Sequence, residues 1–199
     1  MQESDKRIAK NTIILYFRTF ITLLVGLYTS RIMLEALGVD NYGINALVGG
    51  IVGMSSIITV SMSVAIGRYI SYALGQNDKQ RLKTMFSTAI NAQAIMALVA
   101  VIVLEIGGLL FLNTAAKIPE GRMFAAHWVF QCSIICLIFS LISAPYNSLI
   151  ISHERMSVYA YMSIFDVITK LLICYALLWF DGDRLILLAA LQVFLSMST

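Results

Sequence analysis

Asp166 and Lys170 stand four residues apart inside the mostly apolar run 158–180, which reads VYAYMSIFDVITKLLICYALLWF. On a helix that spacing puts both on one face, with the acid N-terminal to the base, the favourable order for an ion pair. Lys170 is some ten to twelve residues from either end of the run. At ~1.5 Å per residue that is at least ~15 Å, beyond the reach of a lysine stem. A lone charge at the centre of a bilayer costs at least ~2.5–3.5 kcal/mol on insertion scales. Either a partner or a watery cavity must offset that cost. Tyr159 and Ser163 share the stripe, which favours a cavity wall; a structural salt bridge locking helices together is the plain alternative. The chemistry open to such a pair is attraction of an anion by Lys170, with Asp166 balancing the charge between visits.

Other polar residues interrupt apolar runs. Asn11, Arg18, Thr22 and Thr29 fall within about 40° of one another at 3.6 residues per turn, so Arg18 sits on a polar stripe that continues past it. A snorkelling arginine is the simpler account, since Arg18 lies ~10 Å from the nearer end of its run. Asn45, Gly49, Ser56, Thr59 and Ser63 form a stripe in the second run, where Gly49, Gly50 and Gly53 suggest close helix packing. Glu105 and His127 fall at similar depth on neighbouring antiparallel runs. They form a candidate protonatable pair, or two separately solvated interfacial groups. Cys132, Cys136 and Cys174 all lie within apolar runs and read as packing residues, not as ligands of a metal. No phosphate-cradling glycine loop, zinc-binding HExxH or other catalytic motif occurs. The expected catalytic residues, metals and cofactors are therefore none, and a carrier is favoured over an enzyme.

The elements that must position these groups follow from composition. Of 199 residues, 59% are hydrophobic and only 13% are Asp, Glu, Lys or Arg; a soluble domain has roughly 45–50% and 25%. The net charge of +3 is too small to suggest a nucleic-acid partner. Six apolar runs fit the ~20 residues needed to cross a bilayer core, at about 12–33, 44–67, 86–112, 123–151, 158–180 and 184–199, the last one incomplete. The fold class expected is an all-α polytopic membrane protein. The third and fourth runs are long enough for tilt, and Pro145 should kink the fourth. The first run carries Lys6, Arg7 and Lys10 ahead of it as a signal peptide would. It is too long, is interrupted by Arg18 and lacks a cleavage site, so it reads as a retained helix. The segment 75–86, GQNDKQRLKTMF, reads as a short cytoplasmic helix capped by Asn77 or Asp78 and drawn to anionic headgroups.

Lysine and arginine set the orientation. Eight lie on the N-terminal side of the runs, namely Lys6, Arg7, Lys10, Arg68, Lys79, Arg81, Lys83 and Arg155. Four lie opposite, namely Arg31, Lys117, Arg122 and Arg184. The N-terminus is expected in the cytoplasm.

Three stretches carry a family resemblance: SRIMLEALGVDNYGI at 30–44, GRYISYALGQNDKQRLKTMFSTA at 67–89, and SAPYNSLIISHERMSVYAYMSIFDVITKLL at 143–172. Their order and spacing resemble the polysaccharide-exporting lipid-linked oligosaccharide flippases. That family shares a superfamily with the multidrug and toxin extruders and the peptidoglycan-precursor flippases. The resemblance covers nearly the whole chain. It implies a six-helix lobe, about half of a two-lobed fold of 12–14 helices around a central cavity, working by alternating access in the bacterial inner membrane. The length matches one lobe only, so a C-terminal lobe is expected to be missing and the chain to be a fragment, or to pair with another copy. The implied substrate is an undecaprenyl-pyrophosphate-linked glycan, moved to the periplasmic leaflet for O-antigen, capsule or exopolysaccharide. Implied partners are membrane lipids and polysaccharide assembly proteins. Arg18 matches where the family tends to place a cavity cation that meets pyrophosphate. Lys170 is assigned that role from the physics above, with Asn11, Thr22, Ser163 and Asp166 as polar support. Two other functions compete. A cation-exporting drug antiporter of the same superfamily would favour acidic and aromatic cavity groups. An intramembrane glycan polymerase or ligase would need a large outer loop.

Overall fold

The computed structural model describes residues 2–76, 78–114, 116, 118–180 and 182–198, with the side chains of 2–8, 58 and 120 outside the description. Asn77 as a cap and Lys117 as an outer-side charge therefore lie outside the described residues. The described chain is all helical, without strands: α1 (Gln2–Gly53), α2 (Ser56–Gly75), α3 (Lys79–Val103), a π turn (Leu104–Gly108), α4 (Leu109–Thr114), a 3-10 turn (Glu120–Arg122), α5 (Met123–Ser152), α6 (Met156–Leu178) and α7 (Arg184–Ser198). Four stretches are long and apolar enough to cross a membrane: Ala9–Gly53, Lys79–Thr114, Met123–Ser152 and Met156–Leu178. Large apolar side chains face outward along them; Tyr16, Phe17, Phe20, Leu23 and Leu27 of α1 are all more than 60% exposed. A soluble monomer rarely shows so large an apolar patch, and these are the marks of a multi-pass membrane protein.

The expected loop between the first two runs is instead a kink in one long helical stretch. Gly38 breaks it, with φ 74° and ψ 171°, a conformation essentially reserved for glycine. The break orphans carbonyls of the preceding turn, and other parts of the chain take them up. Asn41 Nδ2 donates to the Leu37 carbonyl at 3.0 Å, and an Arg184 guanidinium nitrogen donates to the Ala36 carbonyl at 3.0 Å. Because those groups are satisfied on the spot, the helix resumes at once. The expected second run, 44–67, is itself interrupted at Met54–Ser55, where the Ser55 N–H turns to the i−3 carbonyl of Val52 at 3.0 Å.

The expected separate helix at 75–86 is also corrected. Asp78 Oδ1 accepts the Arg81 N–H at 2.9 Å and starts α3 there, which then runs on without a break. Lys79, Arg81 and Lys83 lie in its first turns, the wrong sign for a helix N-terminus. Helix stability does not explain them. From Lys79 to Thr114 the stretch is 36 residues, or ~54 Å, longer than a bilayer with its headgroups is thick. At the π turn, Gly108 lies so close to Phe130 that an added Cβ would run into the ring.

α5 is the hub, packed against α1, α2, α3, α6 and α7. Its Ala126, Val129, Phe130 and Ile134 are buried, as are Leu185 and Leu188 of α7 and Leu177 of α6. Pro145 sits inside α5 and deprives the Leu141 carbonyl of its i+4 donor. α2 and α5 are joined by a polar seam: Ser148 donates to the Ser63 carbonyl at 3.2 Å, and Ser152 to the Gly67 carbonyl at 3.3 Å. At the other end of the bundle, Arg122 pairs with Asp183 at 3.0 Å.

Candidate functional site

α5 presents one polar stripe towards α2, α6 and α7. Ser133, Ser140 and Asn147 recur every seven residues, two helical turns apart, with Cys136 and Ser143 beside them. This stripe forms one wall of a cavity of about 450 Å³, closed by Gly49 and Gly53 of α1, Ser56 of α2, Asp166 and Lys170 of α6, and Gln192 and Ser196 of α7. A second cavity of about 1180 Å³ adjoins it and shares Ser140 and Asn147. Its remaining wall includes Thr59, Ser63 and Arg68 of α2, Glu154, and Tyr159 of α6. Together they make a continuous hydroxyl- and amide-rich groove, from the charged ends of α2 and α5 into the middle of the bundle.

Lys170 Nζ donates to Asp166 Oδ2 at 2.8 Å. The two side chains keep 51% and 27% of their exposure respectively, and both line the 450 Å³ cavity. The pair therefore opens into that space instead of being sealed between helices. In a chain that spans a membrane, a half-exposed ammonium in the middle of an apolar helix needs water or a ligand beside it.

Arg18 is placed differently. Its guanidinium lies 4.5 Å from the centroid of the Tyr159 ring, where the electron-rich face attracts a cation. Its Nε is buried and has no hydrogen-bond partner. Arg18 does not itself line either polar cavity; Tyr159, which it stacks on, does. Of the expected supporting groups, Thr22 turns its hydroxyl back to the Thr19 carbonyl and Ser163 to the Tyr159 carbonyl, each at 2.9 Å. Asn11 is half-buried on the same α1 face. None of these three lines the two polar cavities. Glu105 and His127 are not brought together: Glu105 accepts from Gln131 at 3.2 Å, and the His127 ring meets the Met123 carbonyl at 2.8 Å.

The glycines of the second run do not serve close packing. A Cβ at Gly49, Gly50 or Gly53 would meet nothing within 4 Å; Gly49 and Gly53 leave cavity space open instead. The α5 serines and the α7 pair Gln192 and Ser196 escaped the reading of the sequence. The seven-residue recurrence on α5 was the signal for the first, and the four-residue spacing in a short run for the second.

No protein-family model matches this chain, and neither does any curated protein or solved structure.

Proposed function

We propose that the chain is the N-terminal lobe of a flippase that carries a prenyl-pyrophosphate-linked oligosaccharide across the bacterial inner membrane. It belongs, in this reading, to the lipid-linked oligosaccharide exporters that its three sequence stretches resemble, with a two-lobed fold, a cytoplasmic N-terminus and transport by alternating access. The observation that carries the reading is the Asp166–Lys170 pair opening into a polar cavity in the middle of an apolar helix. A pyrophosphate brings at least two negative charges into a region of low dielectric, where an ammonium a few ångströms away attracts it far more strongly than in water. Asp166 pairs with Lys170 between substrates and yields when the phosphate arrives. The hydroxyls and amides of Ser133, Ser140, Asn147 and Gln192 suit a glycan, which carries many hydroxyl donors and acceptors. An exporter of hydrophobic cations would instead need an unbalanced carboxylate in the middle of the bundle, and the one there, Asp166, is balanced by Lys170 on its own helix.

The test is translocation of a fluorescent prenyl-pyrophosphate oligosaccharide in proteoliposomes, read by the accessibility of the glycan to an external glycosidase. The wild-type protein should make the glycan accessible, and Lys170→Ala should slow this strongly at equal reconstituted protein. An unchanged rate in Lys170→Ala would remove Lys170 from the substrate path. Translocation of cationic dyes with no effect on the glycan would replace the flippase by a drug exporter.

A further inference from the structure

The outward side of the α3–α5 seam carries a polar couple that the two polar cavities do not use. On α5, Phe124, Trp128 and Ile135 are exposed along one stripe, and Gln131 stands within it, exposed as well. Across the seam, in the π turn, half-buried Glu105 accepts the Gln131 Nε2–H at 3.2 Å. The exposed Leu98, Ile102 and Ile106 flank it. Neither Glu105 nor Gln131 lines a polar cavity. At 3.6 residues per turn the Gln131 stripe lies about 140° around α5 from the Ser133–Ser140–Asn147 stripe that does. Both residues lie at hydrocarbon depth. α5 has 30 residues, or ~45 Å, about the thickness of a bilayer with its headgroups. Gln131 is ~12 Å from the Met123 end of α5, and Glu105 is ~14 Å from Thr114 at the same end of the bundle. Headgroups take up only ~5–8 Å of that. Helical Cβ atoms tilt towards the N-terminus, and α3 runs towards this nearer surface, so Glu105 leans away from it and towards the membrane centre. Among the described residues no cation pairs with Glu105. His127, one turn from Gln131 on α5, has its ring turned to the Met123 carbonyl. Ionisable groups within membranes almost always face the bundle interior or a watery cavity, and they pair. Glu105 does none of these within this chain.

We propose that this face docks a transmembrane helix of a separate membrane protein, one that carries a lysine or arginine at the depth of Glu105. Charge complementarity selects this occupant. A carboxylate with only an amide beside it is balanced by a cation, and away from water that attraction is far stronger than at a surface. Lipid tails offer no cation at this depth. A second copy of the chain offers none either, because its cations within the apolar runs are Arg18, stacked on Tyr159, and Lys170, held by Asp166. A second lobe that closes the polar groove, as the flippase reading expects, would lie against the other face of α5. The bond already in place favours docking as well. Gln131 fixes the carboxylate at the seam, so little side-chain freedom is lost when a partner arrives. Leu98, Ile102, Trp128 and Ile135 supply apolar contact on either side of the couple. The proposal requires that the chain spans a membrane and is independent of what it transports.

The experiment uses the chain in lipid nanodiscs with a biotinylated leucine- and alanine-rich transmembrane peptide of ~22 residues, bearing one lysine at the depth of Glu105. Photoreactive benzoylphenylalanine replaces Trp128 or Ile135 in turn, and exposed Phe194 of α7 is the control position. After irradiation, crosslinked peptide is quantified on the purified chain. The lysine peptide should crosslink at positions 128 and 135 several-fold more than a peptide with leucine in place of the lysine, and the two should be alike at position 194. Moving the lysine two turns along the peptide should remove the preference. Glu105→Gln, which keeps the size of the side chain and removes its charge, should remove it too. Equal crosslinking of the lysine and leucine peptides would mean that Glu105 faces lipid as a neutral acid, and would overturn the proposal. A lysine preference that survives Glu105→Gln, or one as large at position 194, would also overturn it. Crosslinks between copies at positions 128 and 135 without peptide capture would assign the face to a second copy instead. Running the translocation assay on the same preparation keeps the two ideas apart. A lysine preference without glycan translocation leaves the docking face standing and removes the flippase. Translocation without the preference does the reverse.

Discussion

At the scale of single residues, the question is whether Lys170 is a strut or a working cation. As an i,i+4 pair that keeps much of its exposure, Asp166–Lys170 contributes only about 0.3–0.5 kcal/mol to stability. Asp166→Asn and Lys170→Ala should both therefore reach wild-type membrane levels by immunoblot. A pair sealed between helices would behave otherwise, since breaking it costs ~3–5 kcal/mol and both variants would be degraded. Function should split the two: Lys170→Ala loses a charged hydrogen bond to the substrate worth ~1.5–3 kcal/mol, or roughly tenfold or more in translocation rate. Gly49→Leu offers an independent check. Its added side chain enters open space and removes a helix glycine that costs about 1 kcal/mol, so the protein should accumulate normally and fail to transport because the cavity is filled. The Asp166–Lys170 pair was legible in the sequence because charges in an apolar run have few explanations. The α5 serines were not. A serine in such a helix satisfies itself, as Ser133 does by donating to the Val129 carbonyl at 2.8 Å, so its presence does not reveal whether it faces a cavity or lipid. Arg18 was legible as a polar anomaly, but its stacking on Tyr159, 141 positions away in the chain, was not.

At the scale of elements, two glycines hold the scaffold that aims these groups. Gly38 lets one helical stretch turn and continue, and its conformation costs any other residue ~1–3 kcal/mol. Gly38→Ala should destabilise the protein by that amount, read as a lower thermal midpoint in detergent, and Arg184→Met should do so to a smaller extent by uncapping the Ala36 carbonyl. Gly108 lies against Phe130 at the π turn, where a Cβ has no room; Gly108→Ala should cost ~1–3 kcal/mol through overpacking. Gly108→Ala with Phe130→Leu should recover part of the loss in the same melt. The composition announced the apolar runs of α5 and α6 nearly to the residue, because length and hydropathy define them. It placed the first break rightly between 33 and 44 but as a loop, missed the interruption at Met54–Ser55 and misplaced the start of α3. Those boundaries depend on where distant groups, such as Arg184, and local caps, such as Asp78, satisfy backbone atoms. A hydropathy window does not register such contacts.

At the scale of the whole molecule, charge divides by end. Arg68, Lys79, Arg81, Lys83 and Arg155 are exposed near the ends of α2, α3 and α6, while Arg122 and Arg184 at the opposite end are tied up with Asp183 and a backbone carbonyl. If this cation-rich end faces the cytoplasm, a cysteine at Asp40 should react with an impermeant thiol reagent on intact cells, and a cysteine at Lys83 should not. Labelling at Lys83 without lysis would reverse the orientation. The bundle leaves a broad aromatic face of α1 uncovered, and the polar groove runs between α2, α5 and α6 from one end to the pair at the centre. The central claim is that this groove meets a pyrophosphate at Lys170. The most direct measurement is equilibrium binding of a prenyl-pyrophosphate-linked oligosaccharide to the chain in nanodiscs, compared across wild type, Lys170→Ala and Lys170→Arg. Kd should rise about tenfold or more in Lys170→Ala, from the ~1.5–3 kcal/mol of a charged hydrogen bond, and stay near wild type in Lys170→Arg. Equal affinity in wild type and Lys170→Ala would contradict it.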